Sequence, residues 1–201
     1  MTLTWRAGLG KTKNVPVDVP VMSTISAFLT YCREQTPAAT CDALDVGANM
    51  GTMTTTMLST GATVTAIEPQ LDLSQLGWGT ACVNGWGDRL TLYNNAVTTV
   101  EAEIGAVLAL GNKEQDGAWG FRPDGSHGNK KTAKHFTAKK IFLEQVIAGT
   151  SSFEFVKVHH RARPFPLQDF SLKAPRGSPS VIIAQSLVIS TLSDLFIFSI
   201  K

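Results

Sequence analysis

Two acids stand 23 residues apart in this chain, each at the end of an apolar run: Asp45 in Ala43-Leu44-Asp45-Val46 and Glu68 after Thr63-Val64-Thr65-Ala66-Ile67. A turn bracketed by glycines, Gly47-Ala48-Asn49-Met50-Gly51, follows the first. Glycine at 47 and 51 lets a ligand approach the backbone closely. A helix beginning near Gly51 would turn N–H groups toward that turn and favour an anionic group there. Asp45 is placed to meet a cation. A ligand carrying both an ammonium and a carboxylate, such as the methionine part of S-adenosylmethionine, suits this pairing better than a pyrophosphate does. Glu68, ending the neighbouring strand, can accept both hydroxyls of a ribose. The dinucleotide fingerprint fails, because Asn49 and Thr52 stand where it needs glycine, and no phosphate-loop Gly-Lys-Ser/Thr occurs.

The elements that must position these groups follow from periodicity. Val21 to Arg33 carries Met22, Ile25, Phe28 and Leu29 at helical spacing and predicts a leading amphipathic helix. Cys41 to Val46 reads as a first strand and Gly51 to Thr60 as a helix, with Gly61 as its cap. That helix is rich in Thr, a mediocre helix former, so packing must hold it. Ala62 to Ile67 reads as a second strand, 70–84 as a helix weakened by Gly77 and Gly79, and Arg89 to Tyr93 as a third strand. Ile104 to Leu110 predicts a fourth strand, Gly111 to Lys140 a long loop or hairpin, Ile141 to Ile147 a short helix or strand, and Phe153 to Val158 a fifth strand. Strands alternating with helices argue for an α/β fold with a mainly parallel sheet and flanking helices. Right-handed crossovers would bring the first two loops together at the carboxyl edge.

The segments Asp45-Val46-Gly47-Ala48-Asn49-Met50-Gly51, Ala66-Ile67-Glu68-Pro69, Val83-Asn84-Gly85 and Tyr93-Asn94-Asn95-Ala96-Val97 carry a family likeness. Over residues 40–158 the chain resembles FkbM-type S-adenosylmethionine-dependent methyltransferases. The resemblance implies a class I, Rossmann-like methyltransferase fold using S-adenosylmethionine. It also implies methyl transfer, commonly to an oxygen of a sugar, lipid or other small-molecule acceptor. By the same resemblance Asp45, Gly47, Ala48, Asn49 and Gly51 line the methionine end, Glu68 holds the ribose, and Asn95 and Ala96 lie beside the adenine.

The resemblance breaks after Val158. Phe155-Val156-Lys157-Val158 matches the start of the family's fifth-strand motif, which continues Asp-x-Glu-Gly, but here His159-His160-Arg161-Ala162 follow. Both acids expected near the methyl acceptor are therefore absent. His159 and His160 are candidates for a general base, since imidazole titrates near neutral pH, though an accidental pair at the break explains them as well. Residues 1–158 thus read as a methyltransferase domain with an N-terminal helical extension, and 159–201 as an atypical Pro-containing linker and apolar tail. The tail holds four of the nine prolines and no glutamate. The family's closing strands are missing or replaced, unless Val181 to Ile189 and Leu195 to Ile200 supply the final antiparallel pair. A second function is then open, a catalytically inactive variant that binds cofactor without turnover.

Bulk properties bound the rest. With 201 residues, 43% apolar and 17% charged, and a net charge of +2, the chain has no strong pull toward nucleic acid or anionic membranes. The apolar segment Ser180 to Ile200 is near membrane-span length, but Gln185, Asp194 and six Ser or Thr residues interrupt it, so a membrane span is not expected. The start of the chain lacks the apolar run of a signal peptide, and Cys32, Cys41 and Cys82 are odd in number without metal-like spacing. They read as reduced thiols in a cytoplasmic protein, with no metal site expected.

Overall fold

In the computed structural model, which describes residues 18–35, 41–98, 103–112, 134–148, 153–160, 180–186 and 194–200, the first strand β1 (Asp42–Val46) is covered on both faces. Ala43 belongs to one buried cluster, Leu44 and Val46 to another. That alternation is the period-two geometry of a strand, here with apolar layers on both sides. On the first face α1 (Asp18–Gln35) and α2 (Thr52–Ser59) contribute Ile25, Leu29, Met53, Met57 and Leu58, and α3 (Leu71–Val83) contributes Ala81. They pack on Val64 and Ala66 of β2 (Thr63–Ile67), on Leu90 of β3 (Leu90–Tyr93), and on Phe155. Phe155 opens the strand Phe155–His160, and its ring lies 5.7 Å from that of Phe28.

Three further strands, β4 (Ala96–Thr98), β5 (Val107–Asn112) and β6 (Lys134–Phe142), form a separate small sheet in the order β4-β6-β5. Helix α4 (Leu143–Ile147) follows and covers the second face of the main sheet with Leu143 and Val146. The main sheet runs β3-β2-β1-β7-β8-β9, where β7 is Phe155–His160, β8 Ser180–Ser186 and β9 Asp194–Ile200. Its neighbours pair in parallel except β8 with β9, which are antiparallel. This is the expected mainly parallel, Rossmann-like sheet with flanking helices. The strand order reverses at β1, with β2 on one side and β7 on the other, and it is outside the carboxyl ends at such a switch point that sheets of this kind bind ligands.

Helix α2 is held by packing, with Met53, Met57 and Leu58 buried. The Thr56 hydroxyl donates to the Thr52 carbonyl at 2.9 Å, and that of Thr55 to the Gly51 carbonyl, so these hydroxyls find partners on the helix's own backbone. At the far end Arg89 donates to the carbonyls of Leu58 (2.9 Å) and Ala62 (3.0 Å), and Arg33 to that of Thr60. These two cations meet the negative end of the helix.

Two expectations are corrected and one left open is resolved. The strand expected over Ile104 to Leu110 is Val107–Asn112 and belongs to the small sheet, because its partner is β6 in an antiparallel hairpin. Of the long loop or hairpin expected over Gly111 to Lys140, the structure has the hairpin: its lysine-rich end is strand β6, in which Ala138 is buried while Thr137 and Lys139 are exposed, and this one-sided burial tolerates lysine. The tip around Trp119 and Phe121 lies outside the described residues. The reading of three reduced thiols also fails. Cys32 and Cys41 form a disulfide, while Cys82 is free and exposed. Docking of α1 on α2 returns the end of α1 to the start of β1, which nothing in the cysteine spacing reveals. The bond removes the ground on which a reducing compartment was expected.

Candidate functional site

The turn after β1 is built from residues in left-handed conformation: Gly47 (φ 75°), Asn49 (φ 55°) and Gly51 (φ 88°). Asn is the non-glycine residue that best tolerates this region, since its short polar side chain bonds locally. Here its Oδ1 accepts the Met50 N–H at 2.8 Å. Gly51 has a second constraint. A Cβ there would sit 3.0 Å from the Cα of Gly77 in α3, so the two glycines let helix and turn approach backbone to backbone. A Cβ at Gly77 would meet only ordinary contacts, 3.7 Å from the Gly51 Cα and 4.0 Å from the Met50 carbonyl oxygen, so the demand for glycine falls on position 51.

The turn leans on the end of β2. The N–H groups of Gly47 and Ala48 both donate to the Ile67 carbonyl, at 2.9 and 3.1 Å, and the Asn49 N–H donates to Glu68 Oε2 at 2.8 Å. The other carboxylate oxygen of Glu68 accepts the Gln70 N–H at 2.9 Å. The N–H groups of the turn itself are thus spent internally, on the end of β2. Those of Thr52 to Thr54, in the first turn of α2, are the ones helix geometry leaves outside its own ladder. Glu68 is 5% exposed. Burial pushes its carboxyl above the ordinary 4.5; the Gln70 and Asn49 N–H groups and the Lys157 ammonium pull it down, and the Asp45 carboxylate pushes it up.

Asp45 does meet a cation, and the cation belongs to the chain. Its Oδ1 lies 2.7 Å from the Lys157 ammonium and its Oδ2 accepts the Thr54 hydroxyl at 2.7 Å. Lys157 also donates to the Gly47 carbonyl at 2.8 Å. Asp45 and Lys157 are 0% and 4% exposed. They are register partners on β1 and β7, so their side chains leave the sheet on the same face, beneath α2. The sequence matched Lys157 to a family motif without a role; its 112-residue separation from Asp45 hides the pair.

The remaining candidates separate. Ala48 is buried in the turn, and Ala96 is buried in β4, paired with Lys140 of β6. Asn95 donates to the Lys139 carbonyl at 3.1 Å. It is Asn94, not singled out from sequence, that reaches Glu68, donating to its carbonyl at 2.9 Å. The backbone of His159 and His160 stands at the carboxyl end of β7, beside Gln185 and Ser186 of β8; their side chains lie outside the described residues. Among the described residues no group of three His, Cys, Asp or Glu could hold a metal ion, and no helix is long and apolar enough to cross a membrane.

No family model and no curated protein matches the chain. Solved structures do resemble it. The SAM-dependent methyltransferase from Agrobacterium tumefaciens superposes with a TM-score of 0.49 at 7% identity, over 89% of this chain and 47% of its own. An RNA methyltransferase from Salinibacter ruber in complex with S-adenosyl-L-homocysteine gives 0.41 at 14% identity, over 85% and 77%. The precorrin 8w decarboxylase of Methanobacterium thermoautotrophicum gives 0.43 at 13% identity, over 88% and 67%. The chain thus spans about half the length of the Agrobacterium protein. At such identities these likenesses concern the course of the chain and assign neither substrate nor activity.

Proposed function

We propose that the chain binds S-adenosylmethionine in the crevice outside β1 and β2 and acts as a methyltransferase of FkbM type. The supporting observation is the glycine-bracketed, left-handed turn 47–51 held at the switch point by the carboxylate that ends β2. Each Glu68 oxygen accepts one backbone N–H and keeps a further lone pair, so the carboxylate can also accept the two hydroxyls of a ribose. The first turn of α2 suits the carboxylate of the methionine part. Gly47, Ala48, Asn49 and Gly51 shape the methionine end, and Asn95 and Ala96 flank the adenine in this reading. Asp45 contributes indirectly, because both its oxygens are engaged inside the protein.

When bound, the cofactor supplies a methyl group already activated on its sulfonium, so the chain need chiefly position the acceptor. In-line orientation is worth up to ~7–11 kcal/mol for an ideally held pair. The acceptor we propose is a hydroxyl on a sugar, lipid or other small molecule, and His159 or His160 at the mouth of the crevice is the candidate base. A second reading, a cofactor-binding variant without turnover, is favoured by His159 and Arg161 standing where the family motif has its acids.

Calorimetric titration with S-adenosylhomocysteine tests the site. Folded protein that shows no binding at millimolar ligand sinks both readings. If it binds, a screen of hydroxylated acceptors with labelled S-adenosylmethionine separates them: transfer abolished by His159→Ala or His160→Ala supports the enzyme, and no transfer to any acceptor supports the inactive variant.

A further inference from the structure

We infer that Lys157 is a positioning residue of the cofactor site, holding the Gly47 carbonyl and the Asp45 carboxylate so that the turn is preformed before any ligand arrives. The inference rests on the cofactor reading above and adds a residue to it.

Three contacts converge on one side chain. Lys157 Nζ lies 2.7 Å from Asp45 Oδ1 and 2.8 Å from the Gly47 carbonyl, and Asp45 in turn holds Thr54 of α2 at 2.7 Å. One ammonium therefore ties the end of β1, the turn and the first helical turn of α2 to β7, where an acceptor would approach. A surface ion pair would do little of this, but Lys157 is 4% exposed and Asp45 is fully buried. A buried pair of this kind gives geometry more than stability, since desolvation offsets much of its attraction. The geometry it gives is that of the Gly47 carbonyl, which has left-handed residues on both sides of Ala48 to constrain. Lys157 also carries positive charge toward Glu68, opposing the charge of Asp45 there. Without it, the repulsion of Asp45 on Glu68 would lose the attraction of Lys157 that opposes it.

Lys157→Met alone strands the Asp45 charge and is liable to unfold, so it is paired with Asp45→Asn/Lys157→Met, which removes both charges at similar volume. Both are measured for S-adenosylhomocysteine affinity against pH and for amide hydrogen exchange at Gly47 to Gly51. The double variant is expected to remain folded, bind at least about tenfold more weakly, and exchange faster than the wild type at Ala48 and Asn49 while its sheet keeps wild-type protection. Where Lys157→Met folds, the pH at which binding fades moves upward, an effect mere packing would not produce. A double variant with wild-type affinity and wild-type protection in the turn overturns the role of Lys157 while leaving the cofactor reading in place. Wild-type protein that binds no S-adenosylhomocysteine overturns the cofactor reading, and the positioning role with it.

Discussion

Glu68 joins the two strand ends, with one carboxylate oxygen on the Asn49 N–H and the other on that of Gln70. Glu68→Gln replaces one acceptor by an NH₂ group that opposes an N–H donor, leaving a buried group unpaired at a cost of about 1–3 kcal/mol. S-adenosylhomocysteine affinity is expected to fall at least about tenfold by calorimetry. The carboxyl is held above 4.5 chiefly by burial, so the folded state keeps this proton more tightly than the unfolded chain. Its contribution to stability is thus full below the ordinary value and is lost as pH rises through the raised one. Ligand binding runs the other way, because a ribose needs the carboxylate. Affinity should weaken as pH falls through the same window. Urea melts and titrations from acid to neutral pH should show both slopes in the wild type and neither in Glu68→Gln. Asp45 and Glu68 were legible from sequence because an acid ending an apolar run marks a strand end. Lys157 was not, since register between distant strands is a property of the sheet.

Among the elements, the Gly51–Gly77 approach gives an asymmetric expectation. Gly51→Ala places a Cβ in the left-handed region and 3.0 Å from the Gly77 Cα, costing at least about 1–2 kcal/mol. Gly77→Ala meets only ordinary contacts at 3.7 and 4.0 Å inside a helix, where alanine is favoured over glycine by up to about 1 kcal/mol. Urea denaturation of the two variants should therefore shift in opposite directions; equal losses would contradict this packing. The Cys32–Cys41 bond closes a loop with a separation of 9 residues, so Cys32→Ser/Cys41→Ser should lose roughly 2–3 kcal/mol. An unchanged urea midpoint on adding reductant to the wild type would show that α1 docks without the bond. Helices α1 and α2 and the strands β1, β2 and β3 were legible from their apolar residues and a glycine or polar stop; α3 was legible as a segment between stops, although Leu71, Leu76, Trp78 and Val83 are exposed and Ser74, Gly77 and Ala81 face the core. Strand β6 was hidden by its lysines and the disulfide by the docking of α1, and both depend on partners far along the chain.

At the scale of the molecule, the tail after Val158 decides whether β7 is an interior or an edge strand of the main sheet. The sequence left two outcomes for it, closing strands missing or replaced, or a final antiparallel pair. The described backbone has β8 in parallel beside β7 from Phe155↔Val181 to His160↔Ser186, and β9 antiparallel beyond it. Residues beyond the break in the sequence resemblance thus continue the main sheet beside β7. An apolar run flanked by breakers suffices for that place, because a strand beside β7 is asked only for backbone groups and apolar bulk. Removing the tail leaves the N–H and C=O groups on the outer edge of β7 open over six register positions. Such an edge templates pairing with another chain. A chain ending at His160 is therefore expected to self-associate and lose its cooperative unfolding transition, while the full chain unfolds in one step. Light scattering after size exclusion, with urea melts of both chains, measures this directly. A shortened chain that stays monomeric and unfolds at the same midpoint would mean that β8 and β9 add nothing to the sheet, and that β1, β2, β3 and β7 already hold the site on their own.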